Sequence, residues 1–308
     1  MIRLGLAGTI PLSDKQLAVI SGAEGLRITG RYKPGSAYPT RENRMDLPVF
    51  EDPCQLIAGC DALVFAGDPS DDFEFIVASL KESRHILIPN PVFLSREKVD
   101  YLFKLAEEAN VALQFRQPIH YHPAIREIKE LLHRPEYVEI KRRINLPGEG
   151  SDIKEKMTDS LTECIDASLL TNNTNLKKHK IIHLPLSAEE PEMIQTRLEL
   201  DNACIINIQL DRFPGEELFE TTYYQNGIEV RADLLHNQIN IIRTDPPGKE
   251  SLSIKKGDVS DGLVAEILEF ISIIRSECYR HQPGTDRLIS FLISNSTWHQ
   301  LNCSLVIC

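Results

Sequence analysis

Three carboxylates, Asp159, Glu163 and Asp166, stand at i, i+4 and i+7 in a stretch from about Ile153 to Leu170 whose apolar spacing predicts a helix. That spacing puts them on one helical face. Such a row can accept hydrogen bonds from the hydroxyls of a polyol, hold a cation, or solvate one side of a helix in an acidic protein. Glu163 would gain use as a proton acceptor if burial raised its pKa towards neutrality. His120 and His122 bracket Tyr121 just after a predicted strand. Two histidines at this spacing with no third ligand nearby do not make a metal centre, so no metal is expected and His120 reads as a ligand-contact candidate. Cys164 has no neighbouring histidine in sequence and reads as a small buried side chain.

A different chemistry is suggested by the turn Gly5-Leu6-Ala7-Gly8-Thr9-Ile10-Pro11-Leu12-Ser13, which follows the first predicted strand. A dinucleotide-binding fold places a Gly-x-Gly-x-x-Gly turn there, because the backbone must turn tightly and touch the pyrophosphate. Gly8 can be the first glycine, but Ile10 then takes the second position and Ser13 the third. Ile10 is a steric obstacle to phosphate, and Pro11 removes an N–H donor. The second predicted strand ends Gly30-Arg31-Tyr32-Lys33, without the carboxylate that would bind ribose hydroxyls. Arg31 or Lys33 would favour a 2′-phosphate, but an ordinary strand end accounts for them better.

The elements that must position these residues alternate. Ile2–Ala7, Leu26–Tyr32, Ala62–Ala66, His85–Ile88 and Val111–Phe115 read as strands, with helices between them over Leu12–Ile20, Cys54–Ala58, Phe73–Leu80 and the segment capped by Ser95. Pro123 suits the first turn of a helix that Pro135 stops. Ligands in such sheets sit beyond the carboxyl ends of the strands, so Pro89-Asn90-Pro91 and Arg116–His122 are places for chemistry. Past Pro135 the pattern changes. Val138, Ile140 and Ile144 alternate with Glu139, Lys141 and Arg143, and Gln225-Asn226-Gly227 signals a hairpin between two further strands. The basic run Lys141-Arg142-Arg143 reads as a solvated strand face. Two helices, about Leu263–Cys278 and Asp286–Trp298, close the chain and are expected to pack back near the first domain. The fold class is therefore α/β, an N-terminal Rossmann-like doubly wound parallel sheet over residues 1–121. A C-terminal α+β domain with a large, mostly antiparallel sheet follows over 122–308.

In this order the segments resemble the glucose–fructose oxidoreductase / inositol dehydrogenase (Gfo/Idh/MocA) family. The resemblance rests on Asp61–Ala66 with Asp68-Pro69-Ser70, on His85–Pro91, on Ala106–Val111 and on Tyr121-His122-Pro123-Ala124, and it covers most of the chain. It implies an NAD or NADP cofactor touching Gly5, Gly8, Thr9, Ile10, Arg31, Asp68 and Pro69. It implies a sugar-like or small polar ligand at a cleft beside the Asp159 helix. It also implies a homodimer or homotetramer formed through the C-terminal sheet. The family uses the lysine of a Glu-Lys-Pro motif and a histidine in Asp-x-Gly-x-His-x-x-Asp. Here Asn90 stands at the lysine position, and Glu163, between Asp159 and Asp166, stands at the histidine position. Asn90 donates a hydrogen bond but exchanges no proton near neutral pH. With the broken glycine turn and the missing ribose carboxylate, these departures point to a diverged relative with weak or lost dehydrogenase activity. The alternatives are an active NAD(P)-dependent oxidoreductase with Glu163 as acid/base and Asp166 beside it, and an interaction protein using the open sheet face.

Bulk properties set the outer bounds. The chain has 308 residues, 42% hydrophobic and 26% charged, as in ordinary globular proteins. A net charge of −11 argues against a nucleic-acid partner. The seven scattered cysteines suit reduced thiols, and no leader or long apolar run is visible, so a cytoplasmic protein without a membrane partner is expected.

Overall fold

The computed structural model describes residues 1–8, 12–32, 47–66, 71–89, 94–145, 151–169, 176–184, 192–244, 247–253 and 260–277. They form two compact units. The first begins β1 (Ile2–Ala7), α1 (Asp14–Ser21), β2 (Leu26–Tyr32), β3 (Val49–Phe50), α2 (Pro53–Gly59), β4 (Ala62–Phe65) and α3 (Phe73–Lys81). It continues with β5 (His85–Ile88), α4 (Arg96–Ala109) and β6 (Leu113–Phe115). Local chemistry fixes the helix starts. Ser13 caps α1, Asp52 caps α2 with Pro53 in its first turn, and Ser95 caps α4. The strands lie in the order β3-β2-β1-β4-β5-β6, and every pair is parallel. The order reverses between β1 and β4, which is the switch point where ligands of such sheets bind.

The second unit holds a short 3-10 turn (Pro118–Tyr121), α5 (Pro123–Leu131), β7 (Tyr137–Arg143) and α6 (Ser151–Leu169). After these come β8 (Leu176–Leu184), β9 (Met193–Leu200), β10 (Ile205–Asp211), β11 (Leu218–Gln225), β12 (Ile228–Asp233), β13 (Gln238–Thr244) and β14 (Pro247–Ser253). The eight strands are ordered β14-β13-β12-β11-β7-β10-β9-β8. β7 pairs parallel with β10, and the other pairs are antiparallel. Inward residues alternate along each strand, as Val138 and Ile140 in β7 and Ile206, Ile208 and Leu210 in β10, and α5 and α6 pack on them. β8 does not stand out in the sequence, because it is an edge strand carrying Lys177, Lys178 and Lys180, whereas β9, with Ile194, Thr196, Leu198 and Leu200 alternating inward, was readable there. No helix among the described residues is long and apolar enough to cross a membrane.

One long helix returns to the first unit. α7 (Ser260–Ser276) lays Val264, Ile267, Phe270, Ile271 and Ile274 on Leu4, Leu6, Leu26, Ile28, Val64 and Leu87. The units accordingly divide after Pro118, and the segment from Asp258 rejoins the first unit, in place of a single cut at 121/122. The physical reason is the apolar stripe of α7, which covers an otherwise bare face of the parallel sheet. The second closing helix expected from the sequence lies outside the described residues.

Within that stripe sits one carboxylate. Glu266 is fully buried, accepts the Gln117 N–H at 2.5 Å, and pairs with Arg116 Nε at 2.9 Å. It ties α7 to the chain just past β6. Burial raises its pKa, and the Arg116 charge opposes that rise without cancelling it. A carboxyl raised in the folded state contributes stability below its unfolded pKa and loses it as pH climbs through the folded value. Denaturant unfolding of Glu266→Gln against wild type between about pH 4.5 and pH 7.5 is expected to shift steadily in favour of the variant as pH rises. Parallel pH profiles would show that Glu266 is not the titrating group.

Candidate functional site

Four of the elements bring their carboxyl ends to the switch-point edge of the first unit. β1 ends at Ala7 and Gly8, β2 at Tyr32, β4 at Ala66 and β5 at Pro89. The edge is largely satisfied by its own backbone. The Gly8 N–H donates to the Tyr32 carbonyl at 2.7 Å, and the Ala66 N–H donates to the Ala7 carbonyl at 3.0 Å. At the start of α1, Ser13 and Gln16 form a reciprocal capping box. The Ser13 N–H donates to Gln16 Oε1 at 2.8 Å, and the Gln16 N–H donates to Ser13 Oγ at 3.4 Å. Asp14 adds a carboxylate to the same turn. A helix N-terminus attracts phosphate through free N–H groups and its positive dipole end; here Ser13 takes the Gln16 N–H and Asp14 sets a negative charge at the dipole end.

Of the cofactor candidates, Gly5 lies inside β1 and not at this edge. A Cβ there would come within 2.8 Å of Leu63 Cδ2 and 3.0 Å of Leu56 Cδ1, so its lack of a side chain serves packing of α2 against the sheet. Arg31 is half-buried near the end of β2, with its N–H donating to the Pro48 carbonyl. Beside it Tyr32 meets the edge of Phe75, 5.4 Å between ring centres, and Phe75 meets Phe65 at 5.0 Å. An aromatic cluster therefore stands at the end of β2 where a ribose-binding carboxylate would be. Thr9, Ile10, Asp68, Pro69 and Asn90 lie outside the described residues. The described residues of this edge do not fit a pyrophosphate held in the usual way.

In the second unit, α6 carries the acidic row. Asp159 and Glu163 are half-buried, and Asp166 is buried at 2% exposure, so the row is not a plain solvated face. Thr158, Ser160, Thr162 and Ser168 are buried with it. Thr162 and Ser168 turn their hydroxyls back to the helix carbonyls of Thr158 and Ile165. Cys164, between Glu163 and Ile165, is wholly buried, and its thiol is pushed far up by desolvation. It is no nucleophile at neutral pH. His120 is half-buried in the 3-10 turn. His122 caps α5 without a side-chain cap bond and instead places Nε2 2.9 Å from the Leu234 carbonyl. Burial holds its pKa low, so His122 is a neutral tie between α5 and the turn after β12. Among the described residues no three His, Cys, Asp or Glu side chains converge as a metal site requires.

The basic run at the end of β7 is not one solvated face. Lys141 is exposed, and Arg143 pairs with Asp211, Nε to Oδ1 at 2.6 Å. Arg142 turns the other way, onto the face that α6 covers, with its guanidinium 4.5 Å from the centre of the Phe219 ring. Its parity was readable in the sequence, since position 142 continues Val138 and Ile140 towards Ile144. Glu266 was equally readable as the one acid inside the apolar spacing of α7.

No protein-family model matches the chain, and no curated protein matches it. Solved structures do. UDP-N-acetylglucosamine 3-dehydrogenase GnnA from Acidithiobacillus ferrooxidans superposes with a TM-score of 0.80 at 18% identity, covering 99% of each chain. A Gfo/Idh/MocA family oxidoreductase from Vibrio cholerae gives 0.80 at 13% identity, over 99% of this chain and 100% of that one. A putative NADPH-dependent oxidoreductase from Desulfitobacterium hafniense gives 0.80 at 12% identity, over 98% and 96%. The fold is that of the Gfo/Idh/MocA oxidoreductases.

The packing role of Gly5 is open to a direct check. Gly5→Ala is expected to lower stability by about 1–3 kcal/mol in urea unfolding, through overpacking against Leu56 and Leu63. Unchanged stability would return Gly5 to the group of ligand-contact candidates.

Proposed function

We propose that this chain, which carries the Gfo/Idh/MocA oxidoreductase fold, is a diverged relative that binds a sugar-like or small polar ligand and has weak or lost dehydrogenase activity. The observation that carries the second half is the self-satisfied start of α1. The Ser13–Gln16 box and Asp14 occupy the turn where a nicotinamide dinucleotide would lay its pyrophosphate. Support for the ligand comes from α6. A buried Asp166 beside half-buried Glu163 and Asp159 offers charged acceptors that hydroxyl groups satisfy well. One structural neighbour is named as an enzyme acting on a nucleotide sugar, which agrees with that ligand class.

The names of the neighbours favour a second reading, an active NAD(P)-dependent oxidoreductase in which Glu163 exchanges the proton and Asn90 orients the reacting oxygen. On either reading the outer face of the eight-stranded sheet, with Ile182 and Leu184 exposed on its edge strand, pairs with a second copy of the chain.

A titration with NADH and NADPH, followed by nucleotide fluorescence and melting temperature together, separates the two. No saturable binding below millimolar nucleotide is expected, and micromolar binding would make the enzyme reading the correct one. Polyols and sugars are expected to raise the melting temperature, since a ligand at 100 times its Kd adds about 2.7 kcal/mol. Glu163→Ala and Asp159→Ala should remove that rise while leaving the melting temperature of the free protein in place. A rise that survives both changes would put the ligand elsewhere.

A further inference from the structure

We propose that the outer face of the eight-stranded sheet is self-complementary in charge, so that the basic β8–β9 flank of one copy lies over the acidic β11–β12 flank of a second. The inference rests on the second-copy reading above and deepens it, by fixing the axis of the pairing and the source of its selectivity.

Strand register is the starting point. Lys180 stands directly opposite Arg197 across the β8–β9 ladder, and Glu220 stands directly opposite Asp233 across the β11–β12 ladder. Arg197 lies between buried Thr196 and Leu198, and Glu220 between buried Phe219 and Thr221, so both pairs are on the outer face. Like charges directly opposite one another destabilise a sheet. Here a pair of each sign is kept, on opposite sides of β7 in the strand order. Neighbours relieve them only in part. Arg197 has Glu199 and Asp233 has His236, while neither Lys180 nor Glu220 forms an ion pair among the described residues. Lys178 adds a cation to the first flank, and Glu229 adds a carboxylate to the second, offset by Arg231.

Between the flanks the charges cancel locally. On β7, Glu139 pairs with Lys141 at 3.8 Å, and Arg143 pairs with Asp211. At the start of the strand the Tyr137 hydroxyl accepts from Asn207 Nδ2 at 2.7 Å, and its ring centre is 5.7 Å from that of Tyr224. A locally neutral, tyrosine-bearing centre with charged flanks has the make-up of an interface core and its rim.

Two copies packed face to face about a two-fold axis share an isologous patch, and the axis lies between the two sheets. An axis running across the strands sets like flank on like flank. An axis running along β7 carries each basic flank onto an acidic one and sets β7 on its own copy. The extent of the face is sufficient. Eight strands about 4.8 Å apart, over the seven residues of β7 at about 3.3 Å each, span about 800 Å², one partner's share of a standard interface.

The test is the oligomeric state of the full chain, by light scattering and sedimentation in about 0.15 M and about 1 M sodium chloride. Wild type is expected to be a dimer whose Kd weakens at least about tenfold in the higher salt. Glu220→Lys with Glu229→Lys makes both flanks basic, and Lys180→Glu with Arg197→Glu makes both acidic. Each double variant should be a folded monomer by itself, and an equimolar mixture of the two should form a heterodimer. A monomeric wild type would overturn the inference together with the second-copy reading. A wild-type dimer indifferent to salt, double variants that dimerise as wild type does, or folded variants that stay monomeric when mixed would overturn the inference and leave the second-copy reading standing. Should either variant fail to fold, the salt dependence of wild type decides by itself.

Discussion

A doubly wound parallel sheet has to be covered on both faces, and in this chain one face closes only when α7 lies across it. The chain runs through Ile119–Gly257 of the second unit before supplying that helix. Ile267, Phe270 and Ile271 leave water there, each burial worth about 1.5–3 kcal/mol, against Leu4, Leu6, Val64 and Leu87. Glu266 gives the contact its register. Its two oxygens meet the Arg116 guanidinium and the Gln117 amide, so α7 is held at the point where the chain leaves β6. The stability of the parallel sheet is thus joined to a sequence separation of about 150 residues. That separation is why a two-domain division read along the chain misassigns this segment.

The carboxyl edge of the same sheet shows how much of its polar and aromatic chemistry is satisfied locally. Strand order and switch point are those of dinucleotide-binding sheets. The Gly8–Tyr32 and Ala66–Ala7 bonds carry the β1 ladders to this edge, and the Ser13–Gln16 box closes the first turn of α1. Aromatic packing of Tyr32, Phe75 and Phe65 takes the place of a carboxylate at the end of β2. None of these changes disturbs the ladder or the helix packing, so the architecture carries no record of whether a nucleotide is bound.

In the second unit the sheet sorts charge by parity. Glu139, Lys141 and Arg143 lie on the outer face with Gln209, Asp211, Glu229 and Arg231, where ion pairs such as Arg231 with Glu229 form in contact with water. On the inner face the sheet buries Val138, Ile140, Leu210, Tyr223 and Val230 against α5 and α6. Tyr223 meets the cost of its hydroxyl by donating to the Ala167 carbonyl at 3.0 Å. Arg142 is the inner-face charge that no such bond accounts for.

Much of the architecture was legible from residues alone. Alternating apolar runs, Ser95 and Pro123 at helix starts, and the Asn226-Gly227 turn each act over a few residues, and those local preferences survive into the fold. The acidic row of α6 and the inward parity of Arg142 also follow from periodicity. Sequence could not say that Asp166 is buried while Lys141 is exposed, because burial depends on what other elements cover. Nor could it show β8 as a strand, since an edge strand rich in lysine is held by pairing with β9 and not by its own pattern. Gly5 reads in sequence as part of a phosphate turn, and the structure places it inside β1, where a Cβ would meet Leu56 and Leu63. Spacing along a chain determines which face a side chain takes. Only the tertiary structure decides what stands opposite that face, and charge, solvent access and ligand chemistry all depend on that neighbour.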